Sequence, residues 1–236
     1  MKYKKRVIFS RHPKNKTRVD LDPKGTTHHG FWGLYEIALR RFKTVVYLLT
    51  ILPLYFLCSL LMGLCFIPGV KLYQYIDVAT TTSSEFMRYF SLGTAVATGF
   101  FLYGFSLVLV IPTTNFLLRA KPKVFRGPYY SIDFLQWYVH NALTYLMRYT
   151  FLEFITPTPF NLLFFRLMGM KIGHGTQLNT SNVSDPALIE IGDRVTVGGS
   201  VTLCAHYGMG GFLILAPVRI GNNVTLGLKS SSWVES

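Results

Sequence analysis

Few side chains in this 236-residue chain could do chemistry at neutral pH: six histidines, three cysteines and eleven carboxylates, set against 24 Lys and Arg. His206 stands out by its setting. It closes the run Val201-Thr202-Leu203-Cys204-Ala205-His206, and an excursion from Tyr207 to Pro217 follows it. A neutral imidazole titrates near the working pH and can take a proton from a hydroxyl or an amine. Taken alone, a histidine ending a short apolar run reads as a satisfied structural residue. Cys204, two residues earlier, reads as a small core filler, with no companion base evident on its strand. Cys58 and Cys65 are about 10 Å apart along a helix, too far for a disulfide. His28-His29 has no further ligand nearby and reads as a solvated pair, so no metal site is expected.

The stretch from Ile172 to Leu228 must position His206. Apolar residues recur there every sixth position, usually before glycine: Ile172-Gly173 and Leu178; Ile191-Gly192, Val197-Gly198 and Leu203; then Ile220-Gly221 and Leu226-Gly227. Six fits neither a helix nor a lone strand. It fits a coil with three short faces per turn, in which every sixth residue points to a shared axis. One face cannot bury its own apolar residue, so the faces must stack.

Here the chain resembles the hexapeptide-repeat acyltransferases, which form left-handed parallel β-helices. The run ending in His206, the excursion and the restart Arg219-Ile220-Gly221-Asn222-Asn223-Val224 are similar to the galactoside and maltose acetyltransferases, where that histidine is the catalytic base. The wider arrangement, with Leu167-Met168-Gly169-Met170-Lys171-Ile172-Gly173 after an apolar segment and the corner Asn179-Thr180-Ser181, resembles the membrane-associated, transferase-like C-terminal region of poly-lysine-type peptide synthetases. The resemblance implies His206 as general base, the backbone N–H of Leu228 as oxyanion donor, and the pantetheine arm of acyl-CoA running near Gly198, Gly199, Asn222, Thr225 and Gly227. Thr225 stands where the sugar acetyltransferases carry an aromatic. Asn179, Thr180, Asn182 and Asp185 would contact the acceptor, or else hydrogen-bond their own corner. The resemblance also implies a homotrimer, acyl-CoA or a carrier-protein thioester as co-substrate, and no tightly bound cofactor. The γ-class carbonic anhydrases share this solenoid but need three histidines around zinc, and the restart after His206 has none. From Leu228 to Ser236 no further rung is recognisable, which reads as a truncated or frameshifted end.

Upstream, half of all residues are apolar. Between Lys43 and Lys71 lie 27 residues without charge, and between Arg88 and Arg119 lie 30. At about 1.5 Å per residue each exceeds a hydrocarbon core of about 30 Å. The spans are expected over Thr44 to about Val70, with Pro53 and Pro68 kinking or ending the first, and over about Ser91 to Leu118, with Gly93, Gly99 and Gly104 for close helix contact. Neither span carries an ionisable residue, so the hairpin reads as an anchor and not a transporter.

Twelve of the 24 cations lie in residues 1–43, and Arg119 to Arg126 adds four. The positive-inside rule then puts both termini in the cytoplasm of a multi-pass inner-membrane protein. The net charge of +13 reads as attraction to anionic membrane lipid. Nucleic acid is not expected, because no recognition fold accompanies the basic arm. Phe31, Trp32, Leu34, Tyr35 and Leu39 read as an approach helix lying in the interface. Two further amphipathic helices are expected, over Tyr129 to Ile155 and Asn161 to Met170.

The expected fold is thus a membrane α-helical hairpin plus interfacial helices, followed by a short left-handed parallel β-helix. Its parts are a basic arm and approach helix (1–43), the hairpin (44–118), interfacial helices (119–170) and the repeat (171–236). Two functions suit it: an anchored acyltransferase acting on a hydroxyl or amine of an envelope saccharide, lipid or peptide, or a non-catalytic β-helix module for assembly with a partner enzyme.

Overall fold

A computed structural model describes residues 29–128 and 131–233. The expectations for the basic arm, and for His28, lie outside the described residues. After a short helix α1 (Gly30–Arg41), two helices dominate the N-terminal half, α2 (Lys43–Ala79) and α3 (Glu85–Leu117). Both are long and apolar enough to cross a membrane. Leu39 of α1 turns inward, whereas Phe31, Trp32 and Leu34 are exposed.

α2 does not end near Val70 but continues through Pro53 and Pro68 to Ala79. A proline removes one N–H and bends a helix without forbidding the turns that follow. The connector shrinks to residues 80–84, and Arg88 bonds Asp77 across it at 2.8 Å. The two helices approach backbone to backbone at Gly69 and Gly99, where a Cβ on Gly69 would lie 3.0 Å from the Gly99 Cα. Gly93 faces open space, and Gly104 makes room for the Phe151 ring and not for α2.

Downstream come a short strand β1 (Phe125–Pro128), α4 (Leu135–Thr150) and α5 (Pro159–Leu167). Pro159 opens α5 in the first turn, where its missing N–H is not needed, and the Thr158 hydroxyl accepts from the Phe160 N–H. α4 is amphipathic: Trp137, His140, Leu143, Thr144 and Met147 are buried on one face.

The C-terminal region is rich in short strands. Three small parallel sheets each take every third strand of a nine-strand series. The first joins β2 (Lys171–Ile172), β5 (Ile189–Ile191) and β10 (Val218–Ile220). A second joins β3 (Gln177–Leu178), β6 (Thr196–Val197) and β11 (Thr225–Leu226), and the third joins β4 (Val183–Ser184), β7 (Thr202–Cys204) and β12 (Ser231–Trp233). Register aligns Ile172 with Ile191 and Ile220, Leu178 with Val197 and Leu226, and Val183 with Leu203. All but Val183 are residues of the six-residue period, and Val183 joins them in one hydrophobic core with α3, α4 and α5.

One expectation changes here, and the excursion acquires a definite form. The end of the chain does not leave the pattern at Gly227: Ser231–Trp233 pairs in parallel with Thr202–Cys204. Ser232 occupies the register position of Leu203, so the backbone continues where the apolar signal stops. The excursion is ordered as a hairpin of β8 (His206–Met209) and β9 (Phe212–Leu215). Gly210 and Gly211, both at positive φ, make its tip. β1 pairs with the outer edge of β9.

Candidate active site

Strand alternation decides which way the residues before the hairpin point. Leu203 and Ala205 are fully buried, so Cys204 and His206 lie together on the other side of the strand. Cys204 is therefore not a core filler. Ser184 pairs with Cys204, which places Asp185 beside the imidazole as β4 ends. The chain turns away there through a left-handed Asp185 (φ 61°, ψ 50°) followed by Pro186.

The resulting contacts are specific. His206 Nδ1 lies 2.6 Å from Asp185 Oδ2, and Trp137 Nε1 donates to Asp185 Oδ1 at 2.6 Å. The carboxylate is completely buried, and 21% of the His206 side chain remains exposed. The Trp137 ring stands edge-on to the imidazole, centroids 5.0 Å apart. A carboxylate oxygen can only accept, so Nδ1 carries the proton between the two groups and Nε2 is the nitrogen left for chemistry. Cys204 Sγ donates to the His206 carbonyl at 3.2 Å.

Two histidines near Trp137 are driven in opposite directions. Burial disfavours the His206 imidazolium, but the hydrogen bonds to Asp185 and Cys204 and the Asp185 charge outweigh it and hold the ring up at about 10. At neutral pH the pair rests as imidazolium and carboxylate. His140, one helical turn after Trp137, is pushed down to about 4 by burial, against the pull of Asp185 and with help from the Lys121 charge. It is a neutral ring whose Nδ1 meets Asn115 Oδ1 at 2.9 Å and whose Nε2 has no partner among the described residues.

Asp185, Cys204 and His206 also form a donor set of the kind that holds zinc, their ligand atoms within 4.8 Å of one another. The sulfur, however, lies 3.5 Å from Nδ1 and 3.9 Å from Nε2. Near-equal distances put it beside the ring and not beyond Nδ1, where a metal would sit. The cluster is arranged as a hydrogen-bonded dyad with a neighbouring thiol.

The other candidate residues fall elsewhere. Asn179, Gly198, Gly199, Gly227 and Leu228 stack along the turns after β3, β6 and β11. A Cβ on Gly198 would meet the Leu228 nitrogen at 3.0 Å, and the Lys229 N–H donates to the Gly199 carbonyl at 3.0 Å. Leu228 precedes β12 and His206 follows β7, so within one chain they lie at opposite ends of the same sheet. Thr225 sits exposed in β11 opposite Thr196. Asn222 belongs to a third set of turns, where its Oδ1 accepts from the Asp193 N–H at 2.8 Å.

Of the four residues expected to contact an acceptor, only Asn179 is open. Thr180 is buried and donates to the Val201 carbonyl; Asn182 accepts from Arg148; Asp185 is taken by His206 and Trp137. The cover comes from the helices: Trp137, Tyr145, Arg148, Glu153 and Asn161 bond Asp185, Ser184, Asn182, Ser181 and the Leu178 carbonyl in turn. A cavity of about 530 Å³ opens beside this cover, its wall formed by Trp137, Gln136, Phe125 and Leu215. Leu215 is the register partner of His206.

No family model, curated protein or solved structure matches this chain. Its function has to be read from its own groups.

Proposed function

We propose that this chain is a membrane-anchored acyltransferase in which His206 is the general base and Asp185 positions it. The observation that carries the reading is the buried carboxylate held between Trp137 and His206, which takes Nδ1 and leaves Nε2 to exchange a proton with substrate once the ring is neutral. Nε2 takes the proton of an acceptor hydroxyl or amine as oxygen or nitrogen attacks the thioester carbonyl. The C–S bond then breaks, and the leaving thiolate recovers that proton from the imidazolium. Asp185 stabilises the imidazolium formed between the two steps, the task of the carboxylate in acyl-transfer triads.

In this reading the three parallel sheets are the faces of a left-handed parallel β-helix, and copies associate as a trimer. A neighbouring copy brings the Leu228 N–H, with Gly198, Gly199, Asn222, Thr225 and Gly227, toward His206 to receive acyl-CoA or a carrier thioester. α2 and α3 cross the inner membrane with both termini in the cytoplasm. Their apolar surface supports the crossing itself: Leu52, Phe56, Leu60 and Leu109 are more than half exposed, which a soluble core would not leave uncovered.

His206→Ala is expected to lower acyl-CoA turnover by ~10²–10⁴-fold in a thiol-release assay. An unchanged rate removes His206 from the reaction. The alternative, a non-catalytic assembly module, draws on the exposed, threonine-bearing β11. A hundredfold excess of acyl-CoA over a micromolar site should stabilise an enzyme by about 2.7 kcal/mol. No thermal shift would favour the module.

A further inference from the structure

Where α3 ends, a second cavity of about 710 Å³ is bordered by Arg119, Lys121 and Lys123. Arg119 takes a left-handed conformation (φ 51°) that turns the chain out of the helix. Exposure alternates along the segment: Ala120 and Pro122 are buried, whereas Arg119, Lys121 and Lys123 are exposed and border the cavity. Among the described residues no carboxylate pairs with any of these cations. Asn115 and Gln136 add amide groups to the wall, and Phe116, Leu167 and Met168 supply its apolar part.

Two features say what such a site takes. The first is the apolar surface around it. Phe116 and Leu117 are 80% and 72% exposed just before Arg119, so hydrocarbon surface and three cations meet at one level, as at the boundary between acyl chains and headgroups. A soluble anion uses only the cations; a lipid bearing a phosphate uses both. The second is continuity toward the imidazole. Pro122, Lys123 and Gln136 line this cavity and also the 530 Å³ cavity whose wall contains Trp137 and Leu215, the immediate neighbours of His206.

We propose that Arg119, Lys121 and Lys123 bind the phosphate of a membrane lipid whose reacting end reaches His206 through the adjoining cavity, so that the acceptor is a lipid-linked phosphate compound. The acceptor role rests on the acyltransfer reading, but the binding site does not. Arg and Lys bind phosphate oxygens through charge-assisted bonds, strongest to a phosphate monoester with its extra charge.

The test is made on the full chain in detergent, with no acyl donor present. Thermophoresis would follow short-chain dioctanoyl phosphatidic acid, dioctanoyl phosphatidylglycerol and inorganic phosphate. Phosphatidic acid should bind saturably, and about tenfold or more tighter than either of the others. Lys121→Gln with Lys123→Gln should weaken it by a further factor of about ten, and the single exposed change Lys123→Gln serves if the pair does not fold. His206→Ala should bind as the parent does. Equal affinity for the two lipids with no effect of the lysine changes means general attraction to anionic lipid and overturns the site. Inorganic phosphate binding as tightly as the lipid overturns the lipid as its source. Either failure leaves His206 untouched, and a chain that binds lipid but whose acyl-CoA turnover is unchanged by His206→Ala keeps the site and loses the base.

Discussion

Two sets of turns in the strand-rich region carry aspartate with histidine, and they use the pair in opposite ways. After β2, β5 and β10 the chain reads Gly173-His174, Gly192-Asp193 and Gly221-Asn222. There Asp193 Oδ1 accepts from the His174 backbone N–H at 2.8 Å, and Asn222 Oδ1 accepts from the Asp193 N–H at 2.8 Å. The side chains splice one turn to the next, and the His174 ring is left to solvent. After β4 and β7, Asp185 and His206 meet side chain to side chain, the carboxylate fully buried. Residue type does not separate the two cases. What differs is the cover: α4 lays Trp137 over Asp185, while in the first set His174 is exposed and Asp193 only half-buried among the described residues. Without water the carboxylate has only its two donors, and the imidazolium becomes its counterion.

Removing that charge is the strongest way to break the contrast. In the parent, turnover should rise about tenfold per pH unit up to about 10, because only the neutral ring accepts a proton and at pH 7 roughly one ring in a thousand is neutral. Asp185→Asn should bring that limb down toward 6.5 and lower the plateau by ~10²-fold or more, since the imidazolium formed in the reaction loses its partner. A pH–rate profile reads both. If the limb does not move, His206 is not the titrating group. Stability follows the same linkage. The ring's pKa is raised on folding, so its contribution is complete below about 6.5 and is lost as pH rises through about 10. The melting temperature of the parent should fall over that interval, and that of His206→Ala should fall less.

How much of this was legible depends on which side of a strand a residue faces. The inward side repeats every six positions, so Ile172, Ile191 and Ile220 announce the stacking order, and His206 is conspicuous where the repeat breaks. Ser232 hides the last strand because its pairing needs only backbone groups. Outward contacts have no period. Asp185 comes beside His206 only once Ser184 is known to pair with Cys204, and Trp137 is 48 residues from the carboxylate it bonds. The one local signal passed over was alternation: Cys204 and His206, two apart on a strand, must share a face.

A smaller change tests the cover itself. Trp137→Phe keeps a ring over the imidazole but removes the N–H from Asp185 Oδ1, leaving a buried carboxylate oxygen without a donor. The loss should be ~1.5–3 kcal/mol, the range for a hydrogen bond to a charged group, read by thermal unfolding. Its effect on rate has a sign that simple loosening would not give. A carboxylate relieved of one donor holds the imidazolium harder, so the alkaline limb should move up, opposite to Asp185→Asn. A downward shift would mean that Trp137 acts only by packing.

The uncovered turns supply the smallest effects and the sharpest control. A Cβ on Gly192 would lie 2.2 Å from Asn222 Oδ1 and 2.9 Å from the Asn222 nitrogen, because the next turn is stacked directly on it. One on Gly221, the same position in that next turn, meets nothing within 4 Å. Gly192→Ala should therefore cost ~1–3 kcal/mol as an overpacked contact. Gly221→Ala should instead stabilise by ~0.4–1 kcal/mol, since alanine restricts the unfolded chain and neither glycine needs a left-handed backbone. Neither change should shift the alkaline limb, because neither touches the Asp185 turn. If Gly192→Ala moved it, the two sets of turns would be mechanically coupled, and the cover by α4 would no longer account for the difference between them.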